Sequence, residues 1–341
     1  MKTISITALL LIGGIAAAAY FFFGPLGPQG KTLDIVIEPG TSLGSVAATL
    51  EGKRVVRSAP ALVLWSKLRG YDRRMQAGRH AFIQNEGVLS AAEKLTIAES
   101  IDSVVTIPEG RTIGQVARII APVFSFDTTE FIRLCYDTTL IRQMDIAASS
   151  LEGYLFPDTY RFDPKTSAEE VIRRMVGHAK KAFNNLPATP MSKKYSLHEL
   201  LTLASIVEKE AVLAQERPHI AGVFHNRLRL GMPLGADPTV RYFLGKFDGP
   251  LLVSELKNPS PYNTRIHTGL PPGPICSPGL ASLKATVSPK ETKDLFFVAK
   301  WDGSGAHDFS RTNAEHVRKK LTIRRQNELR KRRLEMERKG K

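Results

Sequence analysis

One segment of this chain occurs twice, and the repeat restricts its first half to few folds. Leu33–Leu50 (LDIVIEPGTSLGSVAATL) is echoed by Asp102–Ile120 (DSVVTIPEGRTIGQVARII). Leu43, Gly44, Val46 and Ala47 match Ile113, Gly114, Val116 and Ala117 at a spacing of 70 residues. Each copy reads as a β-branched strand, a Pro/Gly turn and a helix led by Ser or Thr. A second helix follows at APALVLWSKLRG and at DTTEFIRLCYD, and aromatic strands close the copies at AGRHAFI (Ala77–Ile83) and YLFPDTYRF (Tyr154–Phe162).

Strand, helix, helix, strand is also the plan of small LysM-like glycan-binding modules, a resemblance of pattern. Ahead of the first copy lies ISITALLLIGGIAAAAYFFF, Ile4–Phe23, twenty uncharged and mostly apolar residues. As a helix it is long enough to cross a hydrocarbon core of about 30 Å. The small residues of IAAAA also suit a cleaved signal, but the apolar run continues past them to Phe23 and favours a retained span. Lys2 is the only charged side chain before the run and none follows until Lys31, so the N-terminus is expected in the cytoplasm and the rest outside. Gly24–Gly30 (GPLGPQG) reads as a linker.

After the polar stretch Asn184–Lys194 the periodicity becomes helical. SLHELLTLASIVEKEAVLAQER opens with Ser196 and has Glu199 three residues on, the spacing of a capping box. RPHIAGVFHNRLRLG carries Pro218 near its first turn and stops at Gly231. Loops rich in Pro and Gly follow, among them DPTV, SPYNT and GLPPGPICSPG. LKATVSP reads as a helix, and DLFFVAKW and HDFSRT as strands around a DGSG turn, so the class is α+β.

Glu208 and Glu210 interrupt the most apolar of these helices. On a helical wheel Glu208 falls within the arc of Leu197, Leu200, Leu201, Ala204, Val207 and Ala211. Glu210 lies about 200° further round, near Leu203 and Ile206, so the two carboxylates cannot share one cleft as a pair. One is expected to ion-pair with an arginine of the next helix such as Arg227, while the other projects into a groove. A carboxyl in an apolar wall resists ionising and is suited to donate a proton near neutral pH. Periodicity does not decide which of the two that is.

Other chemistries find no support. HELLT lacks the second histidine of a zinc protease, and no phosphate loop or nucleophile elbow occurs. His219, His225 and His267 are scattered, and Cys135 and Cys276 define no framework, so neither a metal nor a cofactor is expected. The formal charge of +15 is concentrated in Arg318–Lys341, where twelve Lys or Arg face three Glu. Such a tail fits anionic polymers or lipid headgroups, or else a solvated helix. Nucleic acid is disfavoured as a partner because the span places the tail outside the cytoplasm.

LASIVEKEA, RPHIAGVFHNRL, LGADPTV, YNT, GLPPGPICSPG and GAHDFSRT, in that order over Leu200–His316, closely resemble the endolytic murein transglycosylases of the MltG or YceG-like family. The resemblance implies a single-pass inner-membrane enzyme whose extracytoplasmic domain cuts peptidoglycan glycan strands between N-acetylmuramic acid and N-acetylglucosamine, leaving a 1,6-anhydro end. It implies Glu210, the second glutamate of EKE, as the catalytic residue and Glu208 as its structural companion. Asp237, Tyr262, Asn263 and Thr264 match loop motifs that would bind the sugar, and Asn226 and His307 would line the cleft. Gly235, Ala236 and Arg265 depart from the family's usual residues.

The expected organisation is a cytoplasmic stub 1–3, a transmembrane helix 4–23, a linker 24–31, a LysM-like module 32–100, a second such or intermediate region 101–190, a catalytic domain 195–317 and a basic tail 318–341. Glycan strands and the membrane are the expected partners, with peptidoglycan synthases as further candidates. Two alternatives stand beside the lyase: a hydrolase using Asp237 as second carboxylate, and a non-catalytic LysM-type binding protein.

Overall fold

The computed structural model describes residues 13–14, 17, 20–98, 103–124, 126–163 and 165–339. Most of the expected span, Ile4–Phe23, lies outside these residues, and among the described residues no helix is long and apolar enough to cross a membrane. The chain divides into two compact units, Met1–Asp102 and Ser103–Lys341.

In the first unit β1 (Thr32–Ile37) is followed by α1 (Leu43–Gly52), α2 (Ala59–Leu68), β2 (Gly78–Ile83) and α3 (Val88–Lys94). β1 and β2 pair antiparallel, with Thr32 opposite Ile83 and Ile37 opposite Gly78. Ser42 and Ser58 cap the two helices by accepting from the backbone N–H three residues on. Ile35, Leu50, Leu62, Phe82 and Leu95 form the core beneath this strand pair.

The second unit opens with the repeat: β3 (Ser103–Thr106), α4 (Ile113–Ile120), α5 (Thr128–Cys135), an added α6 (Thr138–Gln143) and β4 (Thr159–Phe162), with β3 and β4 antiparallel. Thr112, seventy residues after Ser42, caps α4 in the same way and with Gln115 completes a capping box. The closing strand is shorter than the aromatic run promised. Leu151–Leu155 is buried and turns at Gly153, whose φ is +84°, so only the end of the run pairs with β3.

Then follow α7 (Ala168–Asn184), α8 (Pro190–Lys194), α9 (Leu197–Glu210), α10 (Arg217–Arg229), α11 (Asp237–Leu244), α12 (Val253–Leu256), α13 (Leu280–Val287), β5 (Phe296–Ala299), β6 (His307–Ser310) and α14 (Asn313–Lys339). The motif DPTV, read as loop, is the first turn of α11, where Pro238 needs no N–H partner. α9 explains the organisation. Every residue from Leu200 to Val207 is buried, because Leu201 and Ala204 pack into the core of the repeat while Leu203, Ile206 and Val207 pack with Ile220 and Phe224 of α10. A helix apolar on all sides must be covered on all sides. The repeat and the helical region therefore share one core, which joins Phe131, Tyr160 and Ile172 to Leu201 and Leu283. Cys135 and Cys276 are both buried and free.

The Pro-rich loop before α13 lies against this junction. Gly110 donates to the Ser277 carbonyl at 2.8 Å, and a Cβ on Gly153 would come within 2.4 Å of Pro274 Cβ. Gly153→Ala therefore meets a positive φ and a clash together, and it should lower stability by about 2 kcal/mol or more in urea unfolding.

Candidate active site

α9 breaks immediately after Glu210. Ala211 is extended at ψ 115°, the chain makes one 3-10 turn at Ala214–Glu216, and α10 begins. The break separates the fates of the two glutamates.

Glu208 is fully occupied. It accepts from Arg217 Nη2 at 3.1 Å, from the Gly279 N–H at 3.0 Å and from Ser282 Oγ at 2.7 Å, and its side chain is 7% exposed. The arginine of the next helix that pairs with it is Arg217, at the start of α10, rather than Arg227. Three donors on one buried carboxylate make Glu208 a tie between α9, α10 and α13.

Glu210 instead lines a cleft of about 490 Å³, within the range of ligand sites. Its carboxyl is pushed up to about 7, first by loss of solvent and then by the neighbouring carboxylate of Asp237, against the opposing pull of Arg227 and Arg265. Its place at the C-terminal end of α9, where the helix dipole is negative, disfavours ionisation further.

The arginines are themselves held. Arg227 donates from Nε to the Leu295 carbonyl at 2.6 Å and from Nη1 to the Leu234 carbonyl at 2.5 Å, and it stacks on Phe296. Gly235, at φ +64°, leaves room for this guanidinium, since a Cβ would come 3.0 Å from Nη1. Arg265 pairs with Asp237 at 2.5 Å. His307 also lines the cleft. Its Nδ1 donates to Glu216 at 2.7 Å and its backbone N–H to the other oxygen of Glu216 at 3.0 Å, so in the neutral ring Nε2 is left as an acceptor.

Of the residues nominated from sequence, Glu210, Asp237 and His307 come together in the cleft. Of the others, Asn226, Asn263 and Thr264 hold backbone and Tyr262 packs in the scaffold. Asn226 lines a different pocket, where its amide donates to the carbonyls of Thr292 and Asp294 at 2.8 and 3.1 Å. Asn263 is buried and donates to the carbonyls of Leu256 and Asn258. Thr264 is also buried. It accepts from the Ala236 N–H at 3.1 Å and bonds Thr239, fixing the turn that delivers Asp237. Tyr262 packs against Tyr242 with ring centroids 5.1 Å apart. Tyr242 in turn donates to Glu152, a carboxyl 3% exposed that also accepts from the Ile113 N–H at the start of α4 and is pushed up to about 7 by burial.

Sequence reasoning did not nominate Trp301, His316 and Lys320, which complete the walls. The last two come from α14, so the helix that carries the basic tail begins as part of the cleft. Among the described residues no cluster could hold a metal ion.

Two measurements follow from these environments. Glu208→Ala removes the close partner of Arg217, leaving it Glu109 at 4.0 Å, and should cost about 3 kcal/mol in urea unfolding. Glu210 acts oppositely. A carboxyl raised from 4.5 to about 7 in the fold contributes stability below its ordinary value and loses it as pH rises through about 7. Glu210→Gln should therefore raise the Tm at about pH 8, with the gain shrinking towards about pH 4.

The YceG-like family model matches residues 35–322. The endolytic murein transglycosylase of Bacillus subtilis is 34% identical over 328 residues, which cover 91% of this chain and 90% of that protein. The endolytic murein transglycosylase of Streptococcus pneumoniae D39 is 29% identical over 94% of this chain and 66% of its own length. The crystal structure of a yceG-like protein of Listeria monocytogenes superposes with a TM-score of 0.55 at 29% identity, covering 85% of this chain and 99% of that one. With a family match running from the first strand into the last helix, this chain belongs to the YceG-like family.

Proposed function

We propose that this protein is an endolytic murein transglycosylase in which Glu210 serves as the single acid and base. The observation that carries this reading is the Glu210 carboxyl, pushed up to about 7 by burial and lining an open cleft, while Asp237, the other carboxylate of that cleft, is tied to Arg265. Water-using glycosidases generally need two working carboxyl groups. One suffices when the nucleophile belongs to the substrate and is already positioned.

In the reaction, Glu210 gives its proton to the glycosidic oxygen as the bond from the anomeric carbon of N-acetylmuramic acid breaks. The positive charge that develops on the sugar is favoured by the new carboxylate. Glu210 then removes the proton of the sugar's own 6-hydroxyl, whose oxygen bonds to the anomeric carbon and closes the 1,6-anhydro ring. The proton ends where it began and no water is consumed. A group titrating near 7 can serve in both directions at physiological pH. Arg227 and Arg265 keep the ionised intermediate form accessible, and His307 offers an acceptor for a sugar hydroxyl.

The apolar run Ile4–Phe23 supports anchoring to the cytoplasmic membrane with the cleft outside, where nascent strands and their synthases lie. The strand, helix, helix, strand units support a LysM-like role in holding glycan. On this reading the enzyme ends or releases strands as they are made.

The test is mass spectrometry of glycan strands incubated with the protein and with Glu210→Gln. Anhydro ends, one water lighter than reducing ends, are expected from the wild type, with the rate falling at least about a hundredfold in the variant. Reducing ends would instead indicate hydrolysis assisted by Asp237, and intact strands with both proteins would indicate a binding role. The wild-type rate should decline as pH rises above about 7, when the acid is lost.

A further inference from the structure

Trp301 stands apart from the other aromatic residues. It lies in the turn between β5 and β6, is 77% exposed, and takes φ +56°, a left-handed conformation that is costly for a bulky side chain. No burial of the indole repays that strain. The backbone around it is nevertheless braced. Arg330 of α14 donates to the Asp302 carbonyl at 2.8 Å, Asn327 of α14 to the Lys300 carbonyl at 3.5 Å, and the Lys300 N–H closes the turn on the Ala306 carbonyl at 2.9 Å. Asp302 further fixes the turn by accepting from the Ser304 N–H at 2.9 Å. Helix and turn together hold the backbone that presents this exposed indole.

The indole lies at the rim of the Glu210 cleft. Trp301, Val298 and Lys320 line both this cleft and an adjoining groove of about 380 Å³, which runs along α14 past Ile323 and Arg324. An endolytic enzyme must seat sugars on both sides of the bond it cuts. A sugar ring presents a face of C–H groups that packs on an aromatic face, and indole offers the largest rigid face among the side chains.

Building on the function proposed above, we propose that Trp301 is a glycan-stacking residue that carries the strand from the Glu210 cleft into the groove along α14. Lys320 beside it would meet the free lactyl carboxylates of peptide-free strands, whereas Arg324 is paired with Glu328 at 3.1 Å on the groove wall. Trp301 thereby positions the strand and takes no part in proton transfer.

The test compares Trp301→Gly and Trp301→Tyr with the wild type in the full-length protein, using peptide-free glycan strands and counting anhydro ends. Glycine adopts a positive φ without strain, so Trp301→Gly should keep or raise the Tm, which separates loss of binding from loss of fold. KM should rise about tenfold with kcat changed less than about twofold, and tyrosine should restore most of the loss. In a Trp65→Phe, Glu210→Gln background Trp301 is the sole tryptophan, and its fluorescence should shift as strands are added. An unchanged KM in Trp301→Gly, with the wild type still making anhydro ends, would overturn the stacking role alone. A wild type that makes no anhydro ends would overturn the function on which it rests.

Discussion

The larger unit depends on one helix having no face to give to water. α9 is covered by the core of the repeat on one side and by α10 on the other, and with Leu200 to Val207 all buried its axis is fixed. Its end then becomes an instrument of position. The helix stops at Glu210, so the residue that leaves the packed interior is the one that faces the cleft. Two residues earlier, Glu208 meets Arg217, Ser282 and the Gly279 N–H. A chemically identical pair is thereby divided into a satisfied carboxylate that secures the break and a desolvated carboxyl that the break exposes.

Electrostatics around that carboxyl are balanced rather than extreme. Burial and Asp237 hold its proton on, while Arg227 and Arg265 make its release affordable. The arginines can do this only because other groups hold them: carbonyls of Leu234 and Leu295 for Arg227, and Asp237 for Arg265. The loop motifs serve the same end. Thr264 and Asn263 aim backbone rather than line the cleft: Thr264 fixes the turn that sets Asp237 at the start of α11, and Asn263 ties its own loop to the carbonyls of Leu256 and Asn258. Glu216 likewise fixes His307 by both its ring and its backbone.

Much of the fold was legible because it is written in local chemistry. Ser42 and Thr112 mark the matching helix starts of the repeat, and Ser196 with Glu199 marks that of α9. Less legible were features set by packing between distant segments. A wheel drawn for α9 could not rank Glu208 against Glu210 because both sides of the helix are apolar, and it ran past the break at Ala211, where no Gly or Pro signals an end. Asn226, Tyr262, Asn263 and Thr264 have side chains suited to sugars, but each is used to satisfy or cover its own scaffold. Glu152 was missed because its donors, the Ile113 N–H and Tyr242, lie 39 and 90 residues away. Trp301 was missed because a positive φ at an aromatic residue leaves no trace in composition or period.

The most direct test of a cleft that holds its acid protonated is titration of the carboxyl itself. Carbon-13 NMR of protein labelled at the glutamate carboxyl, with Glu210→Gln used to identify the resonance, would follow one group through its ionisation. A midpoint near the expected value of about 7 would establish Glu210 as an acid available at physiological pH. A midpoint at the ordinary value of 4.5 would contradict it, leaving a carboxylate already ionised and unable to protonate the leaving oxygen.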